Sequence, residues 1–245
     1  MEGTSLSESG SKKVALLFRS KEDIALTSKE FERWGISTIP FEAIESKCLS
    51  ASSGLNEIAM KADYLIFISR NSVICSAPNI NVGSVKARTI ATGVSTSKLL
   101  EGMGFNVEFA PVVGGMSAVL EWLGNDSPGR VGVLCEKRSR FDFTPLEKKG
   151  FSFDKVEVYE AHARKIKIDS SEVLAATHAA LFSPLEVESI KLSSSTDTLT
   201  SLRKLKAVCL GKKTYESASP IFDRVALARE NSISSVADEI AGDLD

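Results

Sequence analysis

The sequence predicts an α/β fold in two related lobes, each a parallel sheet covered by helices. Three observations predict it. Short apolar runs alternate with helical patterns along most of the 245 residues, and such alternation requires crossover connections, which give parallel strands. Landmarks in the first half recur in the second at a near-constant offset. With 43% hydrophobic and 25% charged residues, the composition is that of a globular protein, long enough for two small cores.

Taken in order, residues 12–18 form a short apolar run, followed by a helical pattern that ends near Gly35, a natural helix stop. Residues 129–135 repeat the scheme, passing through Lys137 to Arg140 and a short helix to Gly150; Val14 and Val131 lie 117 apart. The next strand of each copy contains an echo. Phe41, Glu42 and Ala43 are matched by Tyr159, Glu160 and Ala161 at a separation of 118. Residues 62–69 and 177–183 follow, with Phe67 and Phe182 115 apart, and each leads into a helix. Residues 87–93 and 206–211 place Gly93 and Gly211 118 apart, before helices at 95–102 and 214–221. Residues 106–110 and 224–228 are the last strands, preceding helices at 116–123 and 234–244.

In such sheets ligands bind beyond the carboxyl ends of the strands, where loops meet helix N-termini. Those loops carry Arg19, Ser69, Arg70, Ser95, Thr96, Lys137, Arg138, Arg140, Ser183, Lys213 and Thr214. Hydroxyls, cations and free backbone N–H groups at a helix start suit an anionic ligand, although Ser95, Thr96 and Thr214 also suit plain helix capping. A phosphate loop is excluded, because Gly211-Lys212 lacks the earlier glycine and is followed by Lys213. No Gly-x-Gly-x-x-Gly turn follows a strand, which removes the main support for a dinucleotide cofactor. His178 opens an apolar strand and is expected to be structural; neither it nor His162 accompanies a nucleophile elbow.

Cys48, Cys75, Cys135 and Cys209 are scattered without a Cys-x-x-Cys pair, so a zinc or iron–sulfur site is not expected. All four are expected to be small buried hydrophobes. A formal charge of −2 argues against a general nucleic-acid binder. No apolar run approaches the roughly 20 residues of a membrane span. Residues 1–11 are polar, acidic and rich in Gly and Ser, without the basic and apolar regions of a secretory signal. A disordered tail on a cytoplasmic protein is the expectation.

The chain resembles the uroporphyrinogen-III synthase family over nearly its whole length after Lys12. Leu65 to Val73 is similar to the family's Phe-Thr-Ser followed by Ala-Val, Glu157 to Tyr159 to its Val-Tyr, Leu181 to Pro184 to its Phe-Ser-Pro, and Leu210 to Thr214 to its Ile-Gly-Pro-Thr-Thr. The order and placement of these motifs carry the resemblance more than any one of them.

The resemblance implies interleaved lobes where a tandem repeat alone would suggest 12–128 and 129–245. Lobe 1 would comprise 12–36 plus 167–245 and lobe 2 would comprise 50–155, with 37–49 and 156–166 as a two-stranded β bridge; His162 is assigned to the bridge. It implies an enzyme that cyclises hydroxymethylbilane with inversion of its last ring and loss of water, holding a linear tetrapyrrole polycarboxylate, without metal or organic cofactor. The implied protein is a monomer with no nucleic-acid or membrane partner. Tyr159 matches the family tyrosine and is the candidate general acid for the departing hydroxyl. Thr96 and Thr214 resemble family threonines near the carboxylates, Ser69 and Ser183 occupy equivalent loops, and Arg19, Arg70, Arg138, Arg140 and Lys213 are candidate carboxylate partners. The chain departs from the pattern at Ser20, at Lys212-Lys213 and at Leu185-Glu186. A carboxylate facing the loops would repel the substrate, so Glu186 is expected to point outward. The competing reading is a non-catalytic two-lobe module for an anionic ligand; a nucleotide-dependent enzyme is disfavoured by the missing phosphate loops.

Overall fold

The computed structural model describes residues 12–50, 54–113 and 115–243; the expected tail, 1–11, lies outside the described residues. In chain order the elements are β1 (Val14–Ser20), α1 (Lys21–Arg33), β2 (Ser37–Cys48), α2 (Leu55–Lys61), β3 (Tyr64–Phe67), α3 (Arg70–Ser76), β4 (Arg88–Ala91), α4 (Val94–Gly102), β5 (Val107–Phe109), α5 (Gly115–Leu123), β6 (Arg130–Glu136), α6 (Thr144–Glu147), β7 (Ser152–Ala163), α7 (Ser170–Ala175), β8 (His178–Leu181), α8 (Pro184–Ser193), α9 (Thr196–Leu202), β9 (Lys206–Cys209), α10 (Lys212–Ala218), β10 (Arg224–Leu227) and α11 (Ile233–Ala241). Every predicted strand is present. The sequence reading has no helix at α2, α7 or α9, which span 7, 6 and 7 residues and are too short to show a periodic apolar face.

The chain divides into two compact units. Among the described residues, one takes those up to Glu45 and from His162 onward, the other those between Ser46 and Ala161. In the first, the strand order is β2-β1-β8-β9-β10, all parallel. In the second it is β7-β6-β3-β4-β5, again parallel. Numbered in chain order within its own sheet, the first is the doubly wound order 2-1-3-4-5 and the second is its circular permutation 5-4-1-2-3; the ligand crevice of such sheets lies where the order reverses, beside β1 and β8 in the first and β6 and β3 in the second.

Each sheet is buried on both faces. In the first unit Leu16 and Phe18 of β1 face a core built from α7 to α10, while Ala15 and Leu17 face α1 and α11. In the second, Leu134 faces α2, α3 and α4, while Val131, Val133 and Cys135 face α5 and α6. Alternate residues facing two hydrophobic layers explain why β1 and β6 read as continuous apolar runs. Gly35 and Gly150, the predicted stops after α1 and α6, both adopt left-handed φ angles of 72° and 94°, which only glycine takes without cost.

Strand register sharpens the correspondence between the two copies. A bulge falls between Arg19 and Ser20 where β1 meets β2, and between Cys135 and Glu136 where β6 meets β7. Ser20 pairs with Ile44, and Glu136 with Tyr159. The counterpart of Tyr159 is therefore Ile44, not Phe41; Phe41 corresponds to Val156, and both face the helical core of their units. The same test matches Phe67 to Leu181 and moves Phe182 to the opposite face, since a one-residue slip inverts every side chain of a strand.

Candidate active site

In the unit 46–161, β3 ends at Phe67 and Ser69 caps α3 with extended backbone. Ser69 Oγ accepts the Ser72 amide (3.1 Å), and Ser72 Oγ accepts the Ser69 amide (3.1 Å). This reciprocal cap fixes the serine. Tyr159, on β7, is 7% exposed and packs in the core beneath α3, with its phenolic oxygen 2.9 Å from Ser69 Oγ. The hydroxyl pair bridges over the end of β6, the strand lying between β3 and β7. At that end sits Glu136. Its Oε2 accepts the Arg138 amide (2.7 Å), while Oε1 is buried without a hydrogen-bond partner among the described residues. Sequence reasoning missed Glu136; an acidic residue closing an apolar strand was its only signal.

Arg70 occupies the first turn of α3. Arg138 and Lys137 lie on the surface beside Glu160, at 3.9 and 3.3 Å, and Arg140 is exposed, bonded to the Ser139 carbonyl (3.0 Å). Thr96 is buried in the first turn of α4.

The other unit repeats the arrangement. Ser183 caps α8 with the same extended backbone as Ser69. Thr214 is buried in the first turn of α10, and its amide donates to Gly211 O (3.0 Å), as that of Thr96 does to Gly93 O (3.1 Å). Lys213 beside it is exposed. Arg19, near the end of β1, stacks over the Phe182 ring with its guanidinium carbon 4.4 Å from the centroid. Arg19 Nε and Ser183 Oγ are buried without hydrogen-bond partners among the described residues. They flank the crevice between β1 and β8.

Glu186 corrects the expectation that it points outward. It is fully buried in the first turn of α8, where its carboxylate accepts the amides of Phe182 and Ser183 and pairs with Arg19 Nη1 at 3.2 Å. Two amides at a helix start and one guanidinium compensate the charge. Burial nonetheless pushes its carboxyl up to about 7, against the pull of Arg19. The charge of Arg19 is thus already partly neutralised within the protein.

The cysteines also divide. Cys135 and Cys209 are free and buried as expected, burial pushing their thiols up to about 11 and about 12. Cys48 and Cys75 instead form a disulfide, correcting the expectation that all four are simple hydrophobes; β2 and α3 bring together residues 27 apart in sequence, which spacing alone does not reveal. His178 is buried, bonded to Thr177 Oγ1 (2.8 Å) and Asp243 Oδ2 (3.0 Å). This is no nucleophile relay, because Thr177 Oγ1 donates to Val14 O (3.0 Å). Among the described residues no three His, Cys, Asp or Glu side chains converge as a metal site.

A family model described as uroporphyrinogen-III synthase HemD matches residues 25–236. No curated protein matches significantly. Among solved structures, uroporphyrinogen-III synthetase from Helicobacter pylori aligns over 92% of this chain and 97% of its own, at 15% identity and a TM-score of 0.53. A mutant uroporphyrinogen III synthase from the extremely thermophilic bacterium Thermus thermophilus aligns over 92% and 96%, at 13% identity and a TM-score of 0.51.

Proposed function

The chain belongs to the uroporphyrinogen-III synthase family, and from that membership we propose that it closes hydroxymethylbilane to uroporphyrinogen III, inverting ring D with loss of water, as a lyase of tetrapyrrole and heme biosynthesis. The observation that carries the chemistry is the 2.9 Å contact between Ser69 Oγ and Tyr159 Oη. Ser69 Oγ already accepts the Ser72 amide, so its own proton is available to Tyr159. Donation in that direction stabilises the phenolate that forms when Tyr159 gives its proton to the departing hydroxyl.

Loss of that hydroxyl gives an azafulvene-like cation, which the terminal pyrrole attacks through a spiro intermediate before ring closure. Much of this reactivity belongs to the substrate. The protein's part is to hold the chain curled so that the inverted closure prevails, which is catalysis by orientation. Bond formation and elimination occur within one molecule, so no metal or organic cofactor is required.

The substrate's carboxylates need donors, and both units offer them at equivalent places. Thr96 and Thr214, with the amides that follow Gly93 and Gly211, form two matching anion cradles at helix starts. Arg19 Nε and Ser183 Oγ supply unpaired donors beside one switch point, and Arg70, Arg138, Arg140 and Lys213 supply positive charge. Glu136 Oε1 accepts a pyrrole N–H. The same reading includes the interleaved lobes, 12–36 with 167–245 and 50–155, and the bridge of 37–49 with 156–166. It is supported by backbone bonds from Arg164 to Ala43 (2.9 Å) and from Leu49 to Val158 (3.0 Å), which follow the antiparallel pattern. As proposed, the enzyme acts as a cytoplasmic monomer without nucleic-acid or membrane partners; no helix among the described residues is long and apolar enough to cross a membrane.

Freshly made hydroxymethylbilane, incubated with the purified protein, should give predominantly the type III porphyrinogen. An isomer ratio equal to that in buffer overturns the enzyme reading. Thermal stabilisation by the linear tetrapyrrole without turnover would point to a binding module.

A further inference from the structure

The disulfide between Cys48 and Cys75 closes a ring of contacts around Ser69 and Tyr159. Cys48 ends β2 and is exposed, whereas Cys75 is buried in α3. Leu49, the residue after Cys48, donates its amide to Val158 O at 3.0 Å, and Val158 immediately precedes Tyr159. On the other side, α3 carries Cys75 near its end and Ser69 at its cap. Asn71 in the first turn of α3 donates to Ser46 Oγ at 2.9 Å, two residues before Cys48. One covalent link and two hydrogen bonds therefore join the segment beside Tyr159 to the helix that presents Ser69.

We propose that the Cys48–Cys75 bond is a thiol–disulfide exchange site, with a dithiol reductant as its partner, whose redox state decides whether Ser69 is held against Tyr159. Cys48, the exposed member of the pair, is the point of attack. A thiolate of the dithiol bonds to Cys48 Sγ, the Cys48–Cys75 bond breaks, and Cys75 leaves as a thiolate and takes up a proton. The second thiol then attacks the mixed disulfide, closing the reductant's own disulfide and releasing Cys48 as a thiol. Two electrons pass from the dithiol to the protein. Cys135 and Cys209 are buried and their thiols are held high by burial, so neither competes in the exchange. Opening the link removes the covalent tether on α3, a helix of only 7 residues whose persistence depends on its tertiary contacts.

The inference rests on the Ser69–Tyr159 pair being the reacting centre, and the test separates the two ideas. Protein acid-quenched after oxidised glutathione should show two alkylatable thiols when denatured, and four after dithiothreitol. Reduction should lower turnover at least fivefold and the melting temperature by roughly 7–14 °C, from the size of the loop released, with recovery on reoxidation. Cys48→Ser/Cys75→Ser should match the reduced enzyme and ignore dithiothreitol. Four free thiols under oxidising conditions, or equal turnover in both states, overturns the proposal. If neither state turns over hydroxymethylbilane, the enzyme reading has failed, and amide exchange in residues 69–76 decides the redox question: faster exchange on reduction supports it, equal exchange overturns it.

Discussion

The Arg19 guanidinium and the Glu186 carboxylate meet at 3.2 Å, the first 15% exposed and the second fully buried. Glu186 nevertheless keeps a raised affinity for a proton, because burial outweighs the Arg19 attraction. The unfolded acid titrates near its ordinary value of 4.5 and the folded one near 7. Between those values the folded state binds more protons, so stability falls as pH rises from 4.5 to about 7 and is flat above. The whole change is roughly 3 kcal/mol. Urea unfolding of the wild type and Glu186→Gln across pH 5–8 should show this slope in the wild type alone; parallel curves would refute it.

Tyr159→Phe should reduce kcat by roughly 10- to 100-fold while costing about 1 kcal/mol of stability for the lost hydrogen bond. Ser69→Ala removes both the partner hydroxyl and the cap of α3, and should cost about 1 kcal/mol with a smaller loss of turnover. Because the hydroxyls act as a pair, the double variant should lose less than the two single losses combined. Strictly additive losses would mean that the two hydroxyls act independently.

At Gly93 and Gly211 an added Cβ would meet nothing within 4 Å, and the backbone there is extended. Alanine should therefore leave the melting temperature within about 1 °C, since surface changes free of strain are near neutral. The open space lies where the anion cradles are proposed, so KM should rise about tenfold in each variant as the methyl group blocks close approach of the ligand. Steady-state kinetics beside thermal melts would expose a wrong placement as an unchanged KM.

Gly132 presents the opposite case. Its Cβ would lie 2.6 Å from Ile58 Cγ2 and 3.1 Å from Leu65 Cδ1, so Gly132→Ala should destabilise by about 1–3 kcal/mol through overpacking. Trimming the neighbour with Ile58→Val does not remove Cγ2, but Ile58→Ala does and should recover part of the loss. Denaturant midpoints compare the three variants directly.

The strands and their order of appearance were legible because both faces of each sheet are buried, which writes β1 and β6 as unbroken apolar runs. Ser69 with Ser183 and Thr96 with Thr214 were legible because helix starts demand hydroxyl residues at fixed places. Register was not. Phe41 and Tyr159 look like counterparts by side-chain type, yet the bulges match Tyr159 to Ile44, and a bulge leaves no trace in composition. Glu186 was misplaced because repulsion of the ligand was weighed without the two amides and the guanidinium that surround it. The Cys48–Cys75 bond depends on the tertiary approach of β2 to α3, which neither local pattern contains.

The strand orders also bear on how such a chain can be divided. Each sheet takes its first two strands from one copy and its last three from the other, the exchange of equivalent elements that joins the subunits of a domain-swapped dimer, here within one polypeptide. A cut between residues 128 and 129 leaves fragments that each hold parts of both sheets and complete neither, so the halves can regain structure only by reassociating with one another.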